Sequence, residues 1–338
     1  MLLSLVIPVY NEQEVLPVLL SSLRFTLQQI DCDYEIVFVN DGSRDRTAEM
    51  LRELCAEDRR LKAISFSRNF GHQAAITAGL DVASGDAVVV MDADLQDPPD
   101  VLIEMVAQYR AGFEIVSAQR ISRDTDSFVK RSTAAFFYWL MRRMVDERLT
   151  PEVGDFRLFS RAALTAVRAF REQHRFMRGL VAWLGLKEAI VRFERNPRAA
   201  GETKYPMRKM LKFAWTAISS FSALPLRLTL AAGGLLTTLG FAYAVYVLYA
   251  AIALHQTIRG WASMICLNII FSGATLIALG LVGDYVSRIY EEVKGRPLYI
   301  VSDFLNLPLD QVQIHRAVIV GNALSRADRD RALRVAAR

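Results

Sequence analysis

Two stretches of the chain, Leu228–Leu254 and Ala262–Gly283, hold no charged residue and follow a long region of mixed polarity. As α-helices they would measure about 40 Å and about 33 Å. A bilayer's hydrocarbon core is ~30 Å thick, so each can cross it, the first with tilt or an interfacial end. A pair of buried core helices is a poor alternative at that length without a single charge. The flanks predict orientation. Lys204, Arg208, Lys209, Lys212 and Arg227 precede the first run, Arg288, Lys294 and Arg296 follow the second, and the loop His255–Trp261 holds only Arg259. Short basic flanks stay on the cytosolic side, which places both chain ends and the N-terminal region there. The apolar start, Leu2 to Pro8, lacks a basic leader and runs into Pro8-Val9-Tyr10-Asn11-Glu12, which reads as a strand and turn and not as a signal peptide.

With 338 residues there is room for one sizeable globular domain and a membrane hairpin, and the hydrophobic content of 52% is explained by the two runs. The net charge of +5 is concentrated near the expected membrane boundary, where an anionic leaflet attracts basic residues, so no nucleic-acid partner is expected. Cys32, Cys55 and Cys266 form neither a disulfide framework nor a metal knuckle, as in a reducing cytosol. Apolar runs Leu3–Val9, Glu35–Val39, Leu61–Phe66, Ala87–Met91 and Glu114–Ala118 read as buried strands. The amphipathic stretches Glu12–Gln29, Arg46–Asp58, His72–Ala83 and Pro99–Ala111 between them read as helices. This alternation predicts an α/β fold with a mostly parallel sheet and helices on both faces. Phe128–Val145 mixes aromatic and basic residues and reads equally well as an interfacial helix or a core-packing one, whereas Pro206–Leu224 is expected to lie on the membrane. The expected organisation is a globular domain over 1–205, a juxtamembrane amphipathic helix over 206–227, spans at 228–254 and 262–283, and a cytosolic tail over 284–338.

Ligands of such sheets bind at the carboxyl ends of the strands, where the polar turns fall. Asp92-Ala93-Asp94-Leu95-Gln96 closes the fourth strand. Two carboxylates two residues apart, with an amide beyond, suit a hard divalent cation that also takes phosphate oxygens. Alone, such a pair is as readily turn chemistry, and Asp97 before Pro98-Pro99 reads as a helix N-cap. Asp41 in Asn40-Asp41-Gly42-Ser43, Glu12 in the first turn and Asn69 in Arg68-Asn69-Phe70-Gly71 end the other strands, and four polar turns converging on one crevice are hard to obtain by chance.

PVYNE, NDGSRDRT, RNFG, DADLQDPP, VGDFRL and R-x-x-GETKY, in that order, resemble the inverting family 2 glycosyltransferases that use polyprenyl-phosphate acceptors. Dolichol-phosphate mannose synthases are similar in the soluble part. The nearest likeness is to bacterial bactoprenol (undecaprenyl-phosphate) glucosyltransferases, and it extends through Ser220–Arg227 and Gly280–Pro297. The resemblance implies a GT-A fold, a nucleotide-sugar donor of the UDP or GDP type with UDP-glucose the first choice, Mg²⁺ or Mn²⁺, and a polyprenyl phosphate acceptor at the bacterial cytoplasmic membrane. It implies that Pro8, Tyr10, Glu12 and Asp41 hold the nucleoside end of the donor, and Asn69 is expected to bind the donor as well. Asp92, Asp94 and Gln96 would hold metal and diphosphate, and Asp155 would act as base or acceptor positioner. Arg120 and Arg131 would lie near the acceptor phosphate, and Arg198, Thr203 and Lys204 on a loop over the donor. Thr203 stands where the family often has Ser. Partners implied are a homo-oligomer formed through membrane segments, a downstream flippase and a second glycosyltransferase of the cell envelope.

Elementary chemistry agrees. A divalent cation stabilises a leaving diphosphate as a Lewis acid. A phosphate monoester with a second pKa near ~6 is already mostly dianionic at pH 7, so Asp155 has little to deprotonate. Arginines grip phosphates bidentately, although Arg120 and Arg131 are as readily surface basics paired with acids. A processive polysaccharide synthase is disfavoured, because Gln256 to Trp261 is the wrong spacing for its Q-x-x-R-W and two spans are few for a channel. A non-catalytic membrane scaffold would keep the fold without turnover. No P-loop, no dinucleotide-binding glycine motif and no paired zinc-ligand spacing occurs.

Overall fold

The computed structural model describes residues 1–121, 153–173, 175, 177–194, 224–252, 260–307 and 317–319. Arg131, Arg198, Thr203, Lys204, the segment 128–145 and residues 206–223 lie outside the described residues. The chain divides into two units, Met1–Met210 with Gly295–Arg338, and Leu211–Lys294.

The first unit is built on one sheet of nine strands. In chain order they are β1 (Leu2–Val9), β2 (Asp33–Asn40), β3 (Leu61–Phe66), β4 (Ala87–Val90), β5 (Ile115–Arg120), β6 (Val153–Ser160), β7 (Glu188–Phe193), β8 (Tyr299–Leu305) and β9 (Ala317–Ile319). Across the sheet they run β7-β5-β6-β4-β1-β2-β3-β8-β9. β2 and β4 flank β1 in parallel, β3 is parallel to β2, β7 to β5 and β9 to β8, while β6 pairs antiparallel to both its neighbours and β8 antiparallel to β3. Helices α1 (Leu16–Leu27), α2 (Thr47–Glu57), α3 (His72–Val82) and α4 (Val101–Arg110) join the first five strands, and α5 (Arg161–Ala169) and α6 (Met177–Leu184) follow β6. The alternation of strand and helix thus yields the expected GT-A-type layering.

Period-two alternation explains how one strand serves two cores. Leu3, Leu5, Ile7 and Val9 of β1 pack with α1, α2 and α4 residues such as Leu19, Leu51 and Leu102. Val6 points to the opposite face, with Val37, Val39, Ile76 and Leu164. Each such fully buried aliphatic side chain contributes about 1.5–3 kcal/mol of transfer free energy. α3 lies directly on β1, since a Cβ on Gly79 would stand 2.2 Å from a Val6 methyl. That close approach fixes where the start of α3, and with it His72, enters the crevice.

The chain after the apolar helices returns to this sheet. β8 lies antiparallel to β3, with Ile64 opposite Phe304 and Ser65 opposite Asp303. Tyr299 is fully buried, stacks on Phe66 at 5.1 Å and donates a 2.9 Å hydrogen bond to Asp81, which also takes two 2.8 Å bonds from Arg171. The region expected as a tail over 284–338 contributes Tyr299 and Val301 to the core on the α3 face.

The second unit contains α7 (Leu224–Ile252) and α8 (Trp261–Val293). Within them Leu224–Val247 and Leu267–Val293 are long and apolar enough to cross a membrane, and none of either stretch is buried in the protein. α8 continues ten residues beyond Gly283 as helix, carrying the Asp284–Arg288 ion pair at 3.1 Å on adjacent turns.

Candidate active site

β1, β2 and β3 advance to one side and β4 returns to the other side of β1, so the strand order reverses between β1 and β4. A crevice opens at the carboxyl ends of strands around such a reversal. The turns identified in the sequence meet there and brace one another. Asn11, at φ +56°, accepts from Arg44 N–H at 2.9 Å while its own N–H donates to Ser43 Oγ at 2.9 Å. Glu12 N–H donates to Thr47 Oγ1 at 3.0 Å. Pro8 is buried within β1, while Tyr10 and Asn69 are exposed at the rim. Gly42 has φ +68°, and a Cβ there would fall 2.4 Å from the carbonyl carbon of Arg68. The Asp41 carboxylate accepts from Phe70 N–H at 2.7 Å and Gly71 N–H at 3.0 Å, so it shapes the third turn. Burial pushes Asp41 above the ordinary carboxylate range, against those two backbone donors and the charge of His72.

The acidic turn and Asp155 are brought together by sheet register. β4 and β6 pair with Val90 opposite Arg157, and continuing that register sets Asp155 opposite Asp92. His72 Nε2 lies between them, 3.4 Å from Asp92 and 3.3 Å from Asp155. Gln73 donates to Asp155 at 3.1 Å, and Arg178 Nε stands 3.8 Å from its other oxygen. Burial would push Asp155 up, but the His72 hydrogen bond and the nearby Arg178, His72 and Arg157 charges hold it at about 2. Asp92 is raised by burial and by the neighbouring Asp155 and Asp94, with His72 and Arg120 opposing. Burial would depress His72, yet its bond to Asp155 and the charges of Asp92, Asp155 and Asp41 carry it above the ordinary imidazole value. At pH 7 this arrangement keeps Asp155 ionised.

Leu95, at φ +56°, folds the acidic turn so that Gln96 N–H donates to Asp94 at 3.1 Å, and Gln96 itself is buried. Asp97 does not cap a helix. α4 begins only at Val101, and Asp97 is buried beneath Arg120, whose Nη2 stands 3.4 Å away. Arg120, at the end of β5, lies across Gly154. Two acidic residues and an amide on one turn are a donor set of the right hardness for Mg²⁺ or Mn²⁺. Asp92 Oδ1 is buried without a hydrogen bond, with only His72 Nε2 near it at 3.4 Å, so its lone pairs suit a metal ion. Among the described residues no three His, Cys, Asp or Glu side chains form a closed cage, so a cation here would draw its remaining ligands from a bound molecule or water.

His72, Gln73, Arg157 and Arg178 were not among the residues expected from sequence. His72 and Gln73 directly follow RNFG, which was a usable signal, whereas Arg178 joins the site only by tertiary packing of α6.

Residues 4–168 match the model of the family described as Glycosyl transferase family 2. "Uncharacterized glycosyltransferase YkcC" of Bacillus subtilis (strain 168) is 48% identical over 298 residues, 88% of this chain and 92% of that protein. "Uncharacterized glycosyltransferase sll0501" of Synechocystis sp. is 42% identical over 313 residues, covering 92% and 98%. The "SfII prophage-derived bactoprenol glucosyl transferase" of Shigella flexneri is 38% identical over 301 residues, covering 89% and 97%.

Proposed function

The chain belongs to the family 2 glycosyltransferases, and from that premise we propose that it moves one hexose from a nucleotide sugar to undecaprenyl phosphate at the cytoplasmic face of a bacterial membrane. One observation carries the reading. Similarity to a bactoprenol glucosyl transferase spans nearly the whole of both chains, the acidic crevice and the two apolar helices together. UDP-glucose is the proposed donor.

A phosphate oxygen of the acceptor attacks the anomeric carbon from the face opposite the donor's diphosphate. The carbon–oxygen bond to the diphosphate breaks with its electron pair, and the configuration inverts. Asp92 and Asp94 would hold Mg²⁺ or Mn²⁺, with Gln96 beside them, and the ion would act as a Lewis acid toward the departing diphosphate. Tyr10, Glu12 and Asp41 would form the nucleoside end of the donor pocket, Pro8 shaping the strand end from which it springs, with Asn69 also on the donor. Asp155, with its conjugate acid near 2, is a weak base and would orient the acceptor more than deprotonate it. Arg120, Arg131, Arg198, Thr203 and Lys204 are proposed for the phosphates and the loop over the donor, as the resemblance implies.

β3 and β8 are neighbours in one sheet although α7 and α8 lie between them in the chain. Residues before and after the helix pair must therefore be on one side of any membrane, which supports a two-span hairpin with the catalytic unit and the returning strand together. A polyprenyl chain stays in the bilayer, so its phosphate presents at headgroup depth, and anchoring brings the crevice to it. A flippase, an envelope glycosyltransferase and a second copy of this chain are the proposed partners.

The test is transfer from radiolabelled UDP- and GDP-sugars to undecaprenyl phosphate, with Mg²⁺ or with EDTA, by wild type and Asp94→Ala. A metal-dependent lipid product lost in the variant is expected, and it identifies the sugar. Intact donor binding with no lipid product from any donor would overturn the acceptor assignment in favour of a scaffold or a polymer synthase.

A further inference from the structure

Resting on that reading, we infer that Arg178 of α6, in addition to the Arg120 and Arg131 proposed above, grips the acceptor's phosphate and bridges it to Asp155. The attacking oxygen must approach to about 3–3.5 Å of the reacting carbon. It therefore enters a crevice already lined by Asp92, Asp94 and Asp155. A phosphate dianion is repelled by Asp155, which stays ionised, unless a cation stands between them.

Four basic residues among those described are near enough to be considered. His72 Nε2 is taken up between two carboxylates at 3.3 and 3.4 Å, and an imidazole ring has no paired N–H edge to offer a phosphate. Arg157 is only 4% exposed and out of reach of an incoming headgroup. Arg120 is turned across Gly154 toward Asp97. Arg178 remains. Its side chain is 31% exposed, and its Nε stands 3.8 Å from Asp155, within charge-pairing range but beyond a hydrogen bond. Among the described residues no hydrogen bond consumes its guanidinium, which leaves the planar donor edge that matches phosphate geometry. Arg157, whose charge also bears on Asp155 and Arg178, is buried with its Nε unpartnered, a donor the protein's own bonds leave unused. Asp155 would then hold Arg178 in place, while Arg178 holds the phosphate.

The experiment uses the full chain in detergent micelles, with farnesyl phosphate as acceptor and UDP-glucose as donor. Wild type, Arg178→Gln and Arg178→Lys are compared for acceptor KM, donor KM and equilibrium binding of farnesyl phosphate alone. Arg178→Gln is expected to weaken farnesyl phosphate binding and raise acceptor KM on the order of 10–100-fold, the worth of a charge-assisted contact. Donor KM should stay within about twofold, and Arg178→Lys, which keeps the charge, should recover part of the loss. Unchanged acceptor binding in Arg178→Gln overturns the inference, as do parallel losses for donor and acceptor, or a wild type that binds no farnesyl phosphate. Binding that depends on Arg178 without hexose transfer from any nucleotide sugar would sustain the phosphate site and overturn the proposed reaction. Transfer indifferent to Arg178 would do the reverse.

Discussion

At the scale of single residues, the crevice is organised by groups that hold backbone and by groups that hold charge. Gly42 belongs to the first kind, because its positive φ and its 2.4 Å approach to Arg68 admit no side chain. Gly42→Ala is expected to displace the 68–71 turn, lowering the melting temperature and weakening donor binding together; unchanged calorimetric traces would contradict this. Asp41 holds Phe70 and Gly71 through both oxygens. Asp41→Asn sets an amide donor against those N–H groups and should cost about 1–3 kcal/mol even without donor, as read by denaturant unfolding. A residue that touched only the nucleoside would leave that stability untouched. Asp155 is of the second kind. Its folded pKa is depressed to about 2, so its ionised form is lost only as pH falls toward that value. The kcat/KM profile should therefore show no limb from Asp155 above roughly pH 4, and an acid limb moved by Asp155→Glu would refute it. The acidic turn was legible because its spacing is local. The bridge through His72 and the position of Arg178 were not, since they arise from the β4–β6 register and from α6, which sequence spacing does not encode.

Among elements, the returning strand β8 and the far end of the sheet lend themselves to measurement. Tyr299 is pushed well above its ordinary value by burial, with the Asp81 charge and hydrogen bond adding to the shift. The folded state thus prefers the protonated phenol. That stability is fully present below the unfolded pKa of about 10 and is lost as pH rises beyond it. Alkaline unfolding curves should show the decline in wild type and a smaller one in Tyr299→Phe, which starts from a lower neutral-pH stability. At the opposite end from the crevice, Glu35 is buried and bonded to Lys62, Ser4 and Ser84. Glu35→Gln leaves Lys62 without its counter-charge and should cost about 3 kcal/mol in a chemical-denaturation experiment. The first five strands and four helices were readable because apolar runs alternate with amphipathic ones. β8 was not, because Tyr299–Leu305 interleaves Ser302 and Asp303 among its apolar residues, as an outer strand does. Asp97 misled for a related reason: its place before two prolines suits a cap, but its side chain is taken by Arg120.

For the whole molecule, the unit that carries the crevice is made from chain on both sides of the apolar helices. A chain truncated at residue 210 lacks β8 and exposes the β3 edge together with Phe66 and Asp81. It is expected to bind a hydrophobic dye and aggregate, although every strand that forms the crevice is present. A monomeric, cooperatively melting 1–210 fragment would show that the closing strand is dispensable.

The same arrangement sets an order of events during synthesis. More than two hundred residues separate Phe66 from Tyr299. At ~5–20 residues per second the β3 edge waits tens of seconds for its neighbour. On the proposed topology, that neighbour can arrive only after the intervening helices have gone into the bilayer and come back. A chain whose insertion stalls keeps an open strand edge, the feature by which proteases and chaperones recognise unfinished protein. The closing strand thus acts as a receipt for membrane insertion, issued inside the catalytic domain itself.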